Sequence, residues 1–327
     1  MAAPKRIKGI DCNEAAGAGV RKALTERFDE MYALRRTALK WKDPEGVHSM
    51  RVASRRLRSA LSDFAPYMSK RRVSSALKEI RTIADALGEV RDQDVALIAL
   101  EELLKEAPHE FSKTLQQFIE ARKEVRDGAR QELKKVLIKE RLKNLQTDFS
   151  EAVVLATDRV KPANSFVEVA RTIIRDRLKD LEKLSSSFYR PTDPTQLHEM
   201  RIAAKRLRYS IELFETCWGS RIAPFAKQTA RLQAALGTVH DCDVWIESFR
   251  KEVNESKRVR DQERIKTFNW LFTHFNSLRH KHLAEAFSLW TTWEANDAHG
   301  ALLEALKKPV SHKRAPTAHA DAQLSDI

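Results

Sequence analysis

Two short basic segments carry the residue types best suited to chemistry in this chain. Residues 48–58 read H-S-M-R-V-A-S-R-R-L-R, and residues 198–208 read H-E-M-R-I-A-A-K-R-L-R. On a helix, Met50, Ala53, Leu57, Leu61 and Phe64 fall on one side and make a core face. His48, Arg51, Arg55 and Arg58 form a stripe roughly opposite. Their i, i+3, i+7, i+10 spacing stacks them over three turns. Arg56 lies between the two faces. The second segment repeats the stripe as His198, Arg201, Lys205 and Arg208, with Arg206 at its flank. Guanidinium groups bind phosphate oxygens through paired donors, and a lysine adds a point charge. A row of such groups, one turn apart, suits a linear polyanion better than one small ligand.

The ordinary alternative is a solvated helix face. Such a face mixes signs, because opposite charges one turn apart support a helix and like charges cost a few tenths of a kcal/mol. No acid occurs from 46 to 62, and both segments keep the arrangement. A cationic stripe without partners of its own points to an anion from outside. His48 and His198 head the two stripes, as phosphate contacts or as partly buried structural residues.

A second motif follows each stripe. Residues 87–95, L-G-E-V-R-D-Q-D-V, correspond to 236–244, L-G-T-V-H-D-C-D-V. Gly88 and Gly237 are expected to let two helices approach closely. Asp92, Asp94, Asp241 and Asp243 are expected to orient neighbouring arginines. A divalent-cation site is the alternative, but two carboxylates per half, set among arginines, make a poor cage for a hard cation. Lys78, Arg81 and Arg72, with Lys227, Arg231 and Arg221 in the corresponding segment of the second half, offer a facing basic wall.

The elements that must position these residues are helices. Pro44, Pro66, Pro108, Pro162, Pro191, Pro194, Pro224 and Pro309 separate long stretches of helical periodicity. The pattern predicts helices near 17–40, 46–65, 69–105 and 109–157, then near 164–189, 195–217, 221–252 and 257–306. The segments 109–157 and 257–306 each leave room for one break. Strand signals are nearly absent, and the 9 glycines in 327 residues are too few for glycine-rich β or dinucleotide folds. The stripe segments match at a shift of 150 and the D-x-D blocks at 149. The chain therefore reads as an all-α tandem duplication of a four-helix unit, with pseudo-twofold packing of its halves. The expected divisions are a flexible stretch 1–14, repeats 15–160 and 161–306, and a disordered tail 307–327 with basic residues from Lys307 to Arg314.

Lys plus Arg is 59 against 46 Asp plus Glu, so 59 − 46 = +13. The charge permits polyanion partners, nucleic acid among them. No secretory or membrane-spanning segment is visible, which suggests a cytoplasmic protein. Cys12, Cys217 and Cys242 are odd in number and lack a zinc or redox spacing. That argues for a reducing compartment and against a disulfide framework. His274, His280 and His282 cluster without completing a zinc site, and the 6 tryptophans do not interleave with basic residues. No phosphate loop, nucleophile elbow, H-E-x-x-H or E-x-E-x-K pattern occurs. The expectation is a non-enzyme without cofactor or metal.

The paired H-x-M-R-[VI]-x-x-[RK]-R-L-R segments, each followed by L-G-x-[VI]-x-D-x-D-V, resemble the CHAD domain, the conserved histidine α-helical domain. The resemblance spans nearly all of residues 15–305. It implies two four-helix bundles about a pseudo-twofold axis with a basic central cavity or groove. It also implies binding of inorganic polyphosphate and, in bacteria, association with polyphosphate granules. Carried over residue by residue, the binding positions are His48, Arg51, Arg55, Arg56 and Arg58, then His198, Arg201, Lys205, Arg206 and Arg208. His240 stands where the first copy has Arg91, and Lys205 where it has Arg55. Many relatives carry a triphosphatase-like domain before the bundles. The chain starts directly at the first helix, so catalysis is not carried over. Nucleic-acid or general polyanion binding, and a metal-dependent phosphohydrolase, are the alternatives.

Overall fold

The computed structural model describes residue 7, residues 9–158 and residues 164–309. Its helices are α1 (Ala16–Ala33), the single turn α2 (Arg35–Ala38), α3 (Glu45–Phe64), α4 (Lys70–Glu106), α5 (His109–Val136) and α6 (Lys139–Thr157). They continue as α7 (Phe166–Lys183), α8 (Pro194–Trp218), α9 (Ala223–Arg258), α10 (Gln262–Ala295) and α11 (Ala298–Ala305). The all-α expectation is met, and both long segments break once, at 137–138 and at 296–297.

Local chemistry sets many of these ends. Pro194 opens α8 at a position whose N–H needs no helical partner, and the Asp193 carboxylate accepts from the Thr195 and Gln196 N–H groups. Ser165 and Glu168 form a reciprocal capping box on α7. Asp261 caps α10 through the Arg264 N–H. At the second break Asp297 takes a left-handed conformation (φ 43°) and caps α11 by accepting from the Gly300 N–H.

Two hydrophobic cores result, and both draw on both repeats. The larger holds the face predicted for α3, with Met50, Ala53, Leu57, Leu61 and Phe64 all buried. The smaller joins Leu97 and Leu100 of α4 and Leu115 of α5 to Trp245 and Phe249 of α9 and Phe268 and Leu271 of α10. The repeat boundary in the sequence is therefore not a boundary in packing. Residues equivalent at the 150-residue shift meet one another. Phe64 and Phe214 lie edge to face at 5.7 Å between centroids, and Ala15 bridges Ser165 in antiparallel sense. Contact between equivalent positions is what a twofold axis between the halves produces. Gly19 permits the close approach of α1 to α7, since a Cβ there would sit 2.3 Å from the Phe166 ring.

Three expectations need correction. Residue 7 and residues 9–14, expected to be flexible, are pinned: Ile7, Ile10 and Cys12 are buried, and Val167 N–H donates to the Cys12 carbonyl at 2.8 Å. Cys12 and Cys217 form a disulfide between positions 205 residues apart. The cysteine argument for a reducing compartment falls with it. Spacing rules see only local pairs, whereas this one is made by folding the chain start onto α8. At the other end, Lys308 lies in the segment expected to be disordered, yet its carbonyl accepts from Arg221 Nη1 at 2.5 Å. Residues 310–327, like the inter-repeat boundary at 160–161, lie outside the described residues. Among the described residues no helix is long and apolar enough to cross a membrane.

Candidate polyanion site

The stripe of α3, one face of α4 from Lys70 to Asp92 and one face of α8 border a half-open cleft of about 910 Å³. Seven cations border it: Arg51, Arg55 and Arg58 from α3, Lys70 and Arg81 from α4, Lys205 and Arg206 from α8. Only three carboxylates do so, Asp85, Glu89 and Asp92 of α4. Arg51 Nη1 pairs with Asp92 at 2.8 Å, and Arg58 Nη1 lies 4.0 Å from Asp85. Arg55 and Lys205 face other cations. Burial, then Arg51, pulls Arg55 down to about 10. Burial, then Arg55, Arg201, Arg206 and Arg58, pushes the Lys205 ammonium down to about 7. The stripe is less free of partners than its sequence indicates, but cations still outnumber carboxylates in the cleft.

The remaining predicted residues divide. Arg56 and Arg208 belong to the interior. Arg56 is 5% exposed and pairs with Glu30 and Glu212. Arg208 is 2% exposed, donates to Glu212 at 2.7 Å and Gln233 at 3.1 Å, and lies over the Tyr209 ring. Position 56 falls between the two helix faces, so burial claims it. Arg208 is claimed by an acid on its own helix, one turn on. Arg201 is held below its ordinary value by burial, although Asp241 opposes this, and its Nε is buried without a hydrogen-bond partner among the described residues. Arg81 borders the cleft, whereas Lys78, Lys227 and Arg231 are exposed and outside its lining. The facing wall thus reduces to Arg81 with Lys70, a residue that its sequence context does not single out.

The four aspartates also divide. Asp92 orients Arg51 of the stripe. Asp241 sits among Arg201, Arg51 and Arg55, with burial raising its pKa. Asp94 and Asp243 instead hold Arg130 of α5 at 3.4 Å and Arg279 of α10 at 2.6 Å. Gly88 and Gly237 do not serve close helix approach. A Cβ at Gly88 would meet only Arg51 Nη2, at 3.8 Å, and one at Gly237 nothing within 4 Å.

Burial and Arg91 lower the His48 pKa. His198 and His240 face each other, Nδ1 to Nδ1 at 3.1 Å, each lowered first by burial. One ring must donate and the other accept, so the close pair does not carry two protons readily. His240 occupies the Arg91 position of the repeat, the one sequence signal for this pair. Among the described residues no three His, Cys, Asp or Glu side chains converge so as to hold a metal ion.

The model of the CHAD domain matches residues 22–250. The chain belongs to the CHAD domain family. Two solved structures share the fold of this CHAD protein. The crystal structure of the CHAD domain from the plant Ricinus communis is 22% identical, with a TM-score of 0.68 over 94% of this chain and 99% of that one. PptA from Streptomyces chartreusis is 15% identical, with a TM-score of 0.60 over 90% of this chain and 100% of that one. No curated protein matches the sequence.

Proposed function

We propose that this CHAD protein binds inorganic polyphosphate in the α3–α4–α8 cleft without catalysing a reaction on it, and that binding places it on polyphosphate granules. The observation that carries the reading is the crowding of Arg55, Lys205 and their cationic neighbours in one half-open cleft. Like charges brought together out of water disfavour the charged form. A polyanion relieves that cost, and each phosphate accepts charge-assisted hydrogen bonds from the guanidinium forks. A linear anion with a charge on every unit matches cations one helical turn apart.

The test is calorimetric titration of long-chain polyphosphate at two salt concentrations, with RNA of equal phosphate content as control. Tight, salt-sensitive binding that RNA does not match is expected. Equal binding of RNA would make the cleft a general polyanion site. Phosphate release in the presence of Mg²⁺ or Mn²⁺ would replace binding with hydrolysis. Because affinity is a sum over several contacts, Arg55→Ala weakens binding by about tenfold, the value of one charged hydrogen bond. Complete loss from this single change would contradict the distributed site.

A further inference from the structure

The two repeats place equivalent arginines in opposite circumstances. Arg58 borders the cleft with its side chain 40% exposed, and Asp85 lies only at the limit of pairing distance, 4.0 Å. Arg208, its counterpart at the 150-residue shift, has a side chain 3% exposed and is bonded to Glu212 and Gln233. The cause lies in the aligned positions. Glu212 falls where the first repeat has Ser62, and Gln233 where it has Ala84. At the 149-residue shift of the D-x-D block, which also sets Gln233 against Ala84, Ala230 falls where the first repeat has the cleft cation Arg81, with Arg231 one position on. Ser62, Ala84 and Arg81 all border the cleft. Glu212 also reaches across to Arg56 of α3 at 3.3 Å, so one carboxylate holds an arginine from each repeat.

We infer that the duplicated anion site is one-sided: the polyanion occupies the cleft of the first repeat, and Glu212 with Gln233 keeps Arg208 out of ligand binding. This rests on the reading of the cleft as a polyphosphate site. Opening a buried, hydrogen-bonded ion pair leaves a charge desolvated and unpaired. An incoming phosphate therefore recruits Arg58 and Arg81 in preference to Arg208. Lys205 and Arg206, though encoded in the second repeat, line the same cleft and serve the same ligand.

The test uses the full chain and tripolyphosphate as probe. Arg58→Ala weakens tripolyphosphate binding about tenfold, the value of one charged hydrogen bond. Arg208→Met keeps the wild-type dissociation constant and lowers the melting temperature. Labelling of the wild-type protein with phenylglyoxal, read by mass spectrometry, serves where Arg208→Met does not fold. Arg58 and Arg81 are expected to be modified and to be protected by tripolyphosphate, with Arg208 unmodified in both conditions. Labelling of Arg208 in the free protein with protection by tripolyphosphate would overturn the one-sided site. So would equal losses from both variants at unchanged melting temperature. Failure of the wild type to bind polyphosphate of any length sinks the function instead, and the labelling ratio of Arg58 to Arg208 still decides whether the two halves differ.

Discussion

Lys205 is the position where site chemistry becomes measurable through pH. Its ammonium titrates near 7 in the fold, against an ordinary 10.5, because burial and four arginines disfavour its charge. Between those values the unfolded chain holds a proton here that the folded chain lacks, so stability rises with pH through this window. Below about 7 the penalty is fully present. A bound polyanion supplies the missing counter-charge and moves the pKa back up, so binding at pH 8 takes up a proton at Lys205. Affinity then falls as pH rises above 7. Lys205→Met is expected to bind more weakly at pH 7, to be more stable there, and to lose this proton uptake. Calorimetry at pH 8 in two buffers of different ionisation enthalpy reads the uptake directly. Equal uptake in wild type and Lys205→Met would remove Lys205 from the site. The stripe that contains Lys205 is legible in the sequence, since helical spacing alone stacks it. Its electrostatics are not, because Arg55 and Arg58 arrive from a segment 150 residues away.

Between elements, a buried carboxylate fixes how α3 presents its stripe. Asp63, near the end of α3, accepts from Arg177 Nε of α7 at 2.8 Å and from Ser210 Oγ of α8 at 2.6 Å. Burial raises its pKa, against the pull of Ser210 and Arg177. Arg177 Nη1 also donates to Asp180 at 3.2 Å, so losing Asp63 costs its charged hydrogen bonds without orphaning the arginine, about 1–3 kcal/mol. Asp63→Ala is expected to lower the unfolding free energy by that amount, read as a lower urea midpoint at unchanged slope, while leaving polyphosphate affinity unchanged in the folded protein. An unchanged midpoint would show that this carboxylate does not hold the three helices together. The helices themselves can be read from prolines, caps and the 3.6-residue period, which are local signals. What joins them cannot. Asp63 to Arg177 spans 114 residues and Cys12 to Cys217 spans 205. The buried residues before Ala16, Ile7, Ile10 and Cys12, are too few to show a period in the sequence.

At the scale of the whole molecule, the two sequence-related halves are packed into one body with one candidate cleft between them. The two cores interlock across the repeats, and the cleft lies where α3 and α4 of one half meet α8 of the other. The net charge of +13 marks polyanion affinity but does not locate it. The cleft is the candidate location, with seven cations against three carboxylates, an excess of 7 − 3 = 4. Each phosphate neutralised on a flexible chain releases about 0.7 of a counterion. A ligand held by four to seven of these cations therefore gives a slope of about −3 to −5 for log affinity against log salt. Titrations between about 50 and 300 mM salt measure it over the range where counterion release dominates. A slope near zero would mean that ion pairing does not drive binding. A slope steeper than about −8 would mean that the ligand spreads beyond the cleft onto exposed cations such as Lys78, Lys227 and Arg231, since seven contacts cannot release that many counterions.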